Sequence, residues 1–308
     1  MPRKRRGLPV HGWLVLDKPL GMTSSRAVGA VRRALAAEKA GHGGTLDPLA
    51  TGVLPIALGE ATKTVSWAMA GRKLYRFTLR WGEARDTDDT EGKITATTDV
   101  RPDAAAIARV LPRFIGDLIQ RPPAYSALKI DGERAYDLAR DGAAVALAPR
   151  PVRVDALRAL GQLDADHTEF EAVVGKGTYI RALGRDLAEA LGTCAHITAL
   201  RRLAVGPFVI ADAIPLDKLA ALGHSAAASG HLLPIETPLD DIPALALTET
   251  EAHRLRYGQT VTPLQPSDRA RIEQLGDGAM LCATTGGKLV ALVEVAAGGL
   301  RPVRVLNL

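Results

Sequence analysis

Trp13 to Leu16 form an apolar run that stops at Asp17-Lys18-Pro19, which predicts a short buried strand over residues 13–17. Thr23-Ser24-Ser25 then offer N-cap hydroxyls, and Val28, Val31 and Leu35 recur at helical spacing, so a helix starts there with Gly41 placed to stop it. Its other face carries Arg26, Arg32, Arg33 and Lys39. The next segment, Gly41 to Gly52, is too rich in glycine for a helix or a central strand and reads as a shaped loop. From Lys73 the period becomes two: Tyr75, Phe77, Leu79 and Trp81 share one face of a half-buried strand, and Arg76, Thr78 and Arg80 the other. Asp86 to Gly92 reads as an acidic hairpin or loop.

Further along, residues 103–114 predict a helix, Tyr125 to Ile130 a strand, Asp131-Gly132 a turn, and Arg134 to Arg140 a helix closed by Gly142. Strands are expected near 152–160 and 168–174. Ile180, Leu183, Leu187 and Leu191 mark an amphipathic helix that Gly192 ends. These elements follow no regular βαβ rhythm, so the pattern predicts an α+β fold on a mixed or antiparallel sheet. Around 220–231 the chain turns to Ala, Gly, Ser and His, and Pro234, Pro238 and Pro243 follow, which places a domain boundary near 240. Beyond it, Thr248 and Glu251 form a capping box for a short helix ending at Gly258. Strand-like runs at 279–283, 289–295 and 303–308 complete what reads as a small β-barrel. The expected domains are therefore 1–240 and 241–308, with no internal repeat.

Composition adds bounds. The chain has 308 residues, 47% of them hydrophobic, enough for a substantial core, and a formal net charge of +5 that suits an anionic partner without demanding one. Cys194 and Cys282 stand far apart with no CxxC or clustered histidines, which indicates neither a disulfide framework nor a zinc site. The acidic stretch fails as a calcium loop, because Gly92 comes one place late and Thr97 stands where a bidentate Glu is needed. Thr62 stands where a phosphate-cradling loop needs Gly before Lys63. No run approaches the roughly 18 apolar residues of a membrane span, and the basic start Pro2 to Arg6 lacks the h-region of a signal peptide, so a cytoplasmic protein is expected.

Asp47 is the leading candidate for chemistry. Pro48 keeps it out of helical geometry and the glycines around it allow close approach, so its carboxylate could act as nucleophile, general base or electrostatic stabiliser. Taken alone, Asp-Pro is also a common turn starter. The wider context is more specific. Asp17-Lys18-Pro19-Leu20-Gly21-Met22-Thr23-Ser24 is followed by Gly43-Gly44-Thr45-Leu46-Asp47-Pro48-Leu49-Ala50-Thr51-Gly52-Val53-Leu54. Then come Arg121-Pro122-Pro123-Ala124-Tyr125-Ser126-Ala127-Leu128-Lys129 with Gly132 and Arg134-Ala135-Tyr136, Gly177-Thr178-Tyr179-Ile180-Arg181, and Leu200-Arg201-Arg202. In this order, from residue 13 to about 208, they resemble the motifs of the TruB family of pseudouridine synthases. The tail after 240 loosely resembles that family's PUA-type RNA-binding module.

The resemblance implies a pseudouridine synthase fold and an enzyme that flips a uridine out of its stack and reattaches the uracil through C5, with no cofactor and no metal. It assigns the reacting carboxylate to Asp47 and its ion-pair partner to Arg181. Tyr75 would pack on the base and could assist loss of the C5 proton, His42 would touch the flipped nucleotide, Tyr179 would line the uracil pocket and Leu200 its apolar wall. Lys18 and Pro19 would brace the Asp47 loop. Arg201 and Arg202 are placed to meet phosphates, or form an ordinary solvated basic pair. The implied substrate is uridine 55 in the TΨC stem-loop of tRNA. A chain of this length without long charged extensions looks more like the stand-alone bacterial type than the guide-RNA-dependent relatives, and nothing in it demands more than a monomer. Two rivals stand beside this reading: an RNA-folding helper using the same surface, and a hydrolase that would leave free uracil and an abasic site.

Overall fold

The computed structural model describes residues 7–126, 129–130, 133–134, 147–222 and 230–308. The apolar run after Gly12 forms strand β1 (Gly12–Lys18), and helix α1 (Ser24–Ala34) starts where expected, with the Thr23 hydroxyl accepting from the Arg26 N–H. The helix closes before Gly41. Ala36 takes a positive φ of 46°, and the Ala36 and Ala37 N–H groups return to the Arg33 and Arg32 carbonyls, so an alanine does the terminating work normally left to glycine.

The glycine-rich segment is less loop than its composition predicts, because both of its ends are strand: β2 (Ala40–His42) and β3 (Ala50–Leu58), the latter almost wholly buried. Gly52 fits inside β3 at φ 97°, where an added Cβ would lie 2.2 Å from the Arg202 carbonyl oxygen. The period-two segment is β4 (Lys73–Trp81), preceded by α2 (Val65–Ala70). The acidic stretch is the bend of a hairpin, β5 (Glu83–Arg85) with β6 (Ile94–Thr97). Helix α3 (Ala104–Val110) and a 3₁₀ turn fill the segment expected to be helical and lead into β7 (Gly116–Gln120).

Of the strand expected over Tyr125–Ile130, the described residues show β8 (Lys129–Ile130), while Tyr125 and Ser126 lie in a bend. Arg134, expected to open a helix, pairs as strand in β9 (Glu133–Arg134). The rest of that helix, the turn at Asp131-Gly132, the motif residues Ala127, Leu128, Ala135 and Tyr136, and the basic start Pro2–Arg6 lie outside the described residues. Strands β10 (Arg150–Gln162) and β11 (His167–Val174) and helix α4 (Ile180–Ala190) occur as expected.

The largest omission is β12 (Ala195–Val205), whose Arg201-Arg202 pair breaks the apolar alternation. It pairs parallel with β3 and antiparallel with β4 at the centre of a mixed sheet ordered β14-β1-β3-β12-β4-β11-β10-β7, where β14 is Ile214–Pro215. Short strands β13 (Phe208–Val209) and β15 (Leu232–Leu233) pair with β12 and β1, and helix α5 (Leu216–Leu222) follows β14.

Each face of this sheet is covered. Leu14, Leu16, Leu54, Ile56, Phe77 and Leu79 pack with Val31 of α1 and Ile180, Leu183 and Leu187 of α4. Trp13, Val15, Val53 and Ala57 point the other way, into a cluster with Phe208, Cys282, Leu292 and Leu306. That second cluster joins the large sheet to a separate four-stranded sheet: β16 (Ala244–Ala246), β17 (Met280–Thr285), β18 (Lys288–Ala296) and β19 (Gly299–Val305). Helix α6 (Glu249–Arg256) begins with the expected capping box, and α7 (Pro266–Leu275) is a second helix that the sequence pattern does not announce. Among the described residues no helix is long and apolar enough to cross a membrane.

Candidate active site

Asp47 sits on the turn between β2 and β3, and three separate devices hold that turn. The Ser24 hydroxyl, itself buried, donates to the Leu46 carbonyl at 3.0 Å and accepts from the Leu46 N–H at 2.8 Å. The Gly21 N–H donates to the Pro48 carbonyl at 2.8 Å. Lys18, fully buried at the end of β1, donates from Nζ to the carbonyls of Met22 at 2.7 Å, Pro19 at 3.0 Å and Pro48 at 3.4 Å. Burial pushes the Lys18 pKa down to about 8 against the opposing pull of the Asp47 carboxylate. Lys18 therefore braces the loop, as the motif suggested.

Arg181 projects from the first turn of α4 and is 4% exposed. Its Nε and Nη2 both lie 3.0 Å from one Asp47 oxygen, Oδ2. Nη1 donates to the Thr87 carbonyl and Nη2 to the Tyr125 carbonyl, each at 2.8 Å, and Asp89 Oδ2 lies 3.6 Å from Nε. Burial alone would lower the arginine pKa, but the Asp47, Asp89 and Asp88 carboxylates outweigh it and the net direction is upward. The guanidinium is thus a fixed cation that holds Asp47 in one orientation. Asp47 keeps 36% of its side chain exposed, and among the described residues its Oδ1 has no hydrogen-bond partner.

Asp47, Tyr75, Tyr179, Arg181 and Leu200 line one cavity of about 100 Å³, with Thr45, Leu46, Ala50, Thr178 and Ile180. Five of the six residues expected to react or to touch the substrate are therefore together, although they come from four distant segments. Leu200 reaches the cavity from β12, opposite Ala50 on β3 and Phe77 on β4. His42 does not line this cavity. It lies on β2, with Nδ1 buried and without a partner among the described residues, and burial first and the Arg202 charge second hold its pKa below the usual 6.5.

Sequence reasoning missed several supports. The Gln120 side chain accepts from the Tyr179 N–H at 2.9 Å and donates to the Tyr179 carbonyl at 3.1 Å, which fixes the entry into α4; its position just before Arg121-Pro122-Pro123 was the available signal. The Arg150 guanidinium lies 5.1 Å from the centre of the Tyr179 ring. Asp89 lay within the acidic stretch and carried no signal of its own. Arg201 and Arg202 are not a solvated basic pair. Arg201 is ion-paired with Asp17 at 2.7 Å, and Arg202 is 1% exposed, with its fork spread over the carbonyls of Gly44, Thr45 and Val53. Arg202 is thus placed for the loop, not for a phosphate.

Solved structures share this architecture. A Cbf5–Nop10–Gar1 complex matches with a TM-score of 0.72 at 26% identity, over 100% of this chain and 90% of that one. The archaeal box H/ACA Nop10–Cbf5 complex gives 0.70 at 24%, over 99% and 92%. The fold is that of the pseudouridine synthases. A model described as TruB family pseudouridylate synthase (N terminal domain) matches residues 32–180, and one described as tRNA pseudouridylate synthase B C-terminal domain matches 181–240. Proteins named tRNA pseudouridine synthase B are 54% identical in Rhodospirillum rubrum, over all of both chains, and 56% identical in Bradyrhizobium diazoefficiens, over 97% of this chain and 86% of that one. The chain belongs to the TruB family of pseudouridylate synthases.

Proposed function

We propose that this enzyme converts uridine 55 of the TΨC arm of tRNA to pseudouridine, with Asp47 as the reacting carboxylate. The observation that carries the reading is the Arg181–Asp47 pair at 3.0 Å on the wall of a cavity shared with Tyr75, Tyr179 and Leu200. The cavity supplies an oriented carboxylate next to aromatic and apolar surface, which suits a flat base taken out of its stack. The reaction breaks the C1′–N1 bond, forms C1′–C5, releases the C5 proton and returns a proton to N1, so mass is conserved and no cofactor enters. Arg181 holds Asp47 in one orientation, Tyr75 and Leu200 flank the base, and Tyr179 closes the side nearest α4. His42, on β2 outside the cavity, is assigned to the nucleotides around the target.

Residues 1–240 then form the catalytic domain and 241–308 a PUA-like module that binds the same RNA, in a cytoplasmic monomer that needs no guide RNA. Incubation with tRNA carrying tritium at uracil C5 tests the assignment. Wild type should release tritium from labelled tRNA and leave the mass of unlabelled tRNA unchanged, and Asp47→Asn should release it at least about 10³-fold more slowly. Release undiminished in Asp47→Asn would remove Asp47 from the chemistry. RNA binding without release would make the protein a binder, and free uracil would make it a hydrolase.

A further inference from the structure

Arg181 and Arg202 are both buried arginines that hold the Asp47 loop, Arg181 at Asp47 itself and Arg202 at its flanks, but their partners differ in kind. Arg181 faces the carboxylates of Asp47 and Asp89. Arg202 has no carboxylate within 4.0 Å among the described residues. Its partners are uncharged oxygens: Val53 O at 2.8 Å from Nε, Gly44 O at 3.0 Å from Nη2, and Thr45 O at 3.3 Å and Tyr75 Oη at 3.5 Å from Nη1. A buried cation held only by dipoles is costly, so its geometry must supply something that a neutral side chain would not.

The geometry is specific. Gly44 and Thr45 precede Asp47, Val53 follows it, and Tyr75 stands on the next-but-one strand, so a single planar fork ties both ends of the Asp47 loop to the cavity's aromatic wall. Register enforces the position. Arg202 pairs with Gly52 of β3 on one side and Tyr75 of β4 on the other, and an added Cβ at Gly52 would strike the Arg202 carbonyl. A guanidinium can only donate, so the contact uses Tyr75 Oη as an acceptor and leaves the phenolic O–H to be donated elsewhere.

We propose that Arg202 is a positioning residue for the isomerisation: it locks the Asp47 loop against β4 and orients the Tyr75 hydroxyl as a donor into the cavity, toward the base. This rests on the function proposed above. Nothing in the composition of the Leu200-Arg201-Arg202 segment distinguishes the second arginine from a phosphate contact, but its full burial does.

A double-mutant cycle in single-turnover tritium release, at saturating enzyme, tests it. Arg202→Lys keeps the charge but loses the fork, and should slow release about 10- to 100-fold while the Kd for tRNA stays within about 3-fold. In a Tyr75→Phe background the same change should cost at least about 3-fold less than in wild type, because the hydroxyl it orients is gone and only the contacts to the loop carbonyls remain to be lost. A wild-type rate in Arg202→Lys, or losses that simply multiply, would overturn the proposal. Should Arg202→Lys fail to fold, as judged by its thermal melt, ¹⁵N-arginine NMR of the wild type decides. Slowly exchanging Arg202 Nη protons with a through-space contact to the Tyr75 ring support the lock, and fast exchange without that contact rejects it. A wild type that releases no tritium would refute the proposed function, whereas the NMR result bears on the Arg202 lock alone.

Discussion

Strands β1 and β3 serve two unlike regions. Where Lys18 pairs with Gly52, they meet the Asp47 loop, and the structure there is held by buried cations, a buried hydroxyl and main-chain carbonyls. On their rear face Trp13, Val15, Val53 and Ala57 enter an apolar seam with Phe208 and with Cys282, Leu292 and Leu306 of the C-terminal sheet. The Trp13 ring lies 5.0 Å from that of Phe208, and its N–H donates to the Ile235 carbonyl at 3.3 Å. The first region obtains direction from hydrogen bonds that are expensive to bury, and the second obtains stability from area that needs little direction. One pair of strands can therefore carry a precise site because its other face is firmly packed.

The sharpest way to break this comparison is Trp13→Ala. Truncating a fully buried tryptophan should cost about 3–5 kcal/mol of stability, read in a urea melt, from lost transfer energy, the cavity and the orphaned Ile235 carbonyl. Tritium release per folded molecule should stay within about 3-fold of wild type. A collapse in rate with an unchanged melt would mean that the seam steers the chemistry and that the two regions are not separable.

How far the sequence discloses each region follows the same physics. The α+β class, β1, β4, β10, β11, α4 and the α6 capping box are visible because their apolar period is unbroken and their ends carry ordinary stop signals. Strand β12 was hidden because two adjacent arginines interrupt its apolar alternation. One of them is buried, and only tertiary carbonyl partners make that tolerable. The early end of α1 was hidden because Ala36, not a glycine, takes the left-handed turn. At the site, Asp47, Arg181, Tyr75, Tyr179 and Leu200 came from family motifs and not from local pattern: nothing in the spacing of Tyr75 separates a cavity wall from core. Gln120, Asp89 and Arg202 act through backbone atoms or long-range pairs, which leave no periodic trace. The C-terminal seam was unreadable because its residues come from both sides of residue 240, and each looks like ordinary core in its own strand.

Lys18 sharpens the comparison from the polar side. Its native pKa is down at about 8 while an unfolded lysine stays near 10.5, so the native state sheds the proton first. Below pH 8 the full cost of burying the ammonium is carried, on the order of 3 kcal/mol for a shift of this size, and stability is regained as pH rises from 8 toward 10.5. Activity should run the opposite way. The neutral amine has fewer protons for the Pro19, Met22 and Pro48 carbonyls, so release should fall along a limb with an apparent pKa near 8. Urea melts and single-turnover rates from pH 7 to 9.5 should show the two trends crossing in wild type and both absent in Lys18→Met. A stability that falls over this range, relative to Lys18→Met, would contradict the burial of a charged lysine.

Thr248→Ala carries the smallest expected effect and tests whether the C-terminal sheet behaves as a body with its own core. The Thr248 hydroxyl accepts from the Glu251 N–H at 3.3 Å and donates to Glu251 Oε2 at 2.7 Å, while the same carboxylate accepts from the Thr248 N–H and, through Oε1, from the Leu264 N–H, each at 2.8 Å. Removing the hydroxyl loses one cap and leaves the Glu251 bonds to backbone, so the cost should be about 1 kcal/mol, with Thr248→Ser near wild type. That loss falls on α6, whose Ala252 and Leu255 pack with Leu281 and Val293 and belong to neither the Asp47 site nor the seam. The melt should shift slightly and tritium release should not. A rate that follows the melt here would mean that strain in α6 crosses the apolar seam to reach β1 and β3, which area packed without directional bonds is poorly suited to transmit.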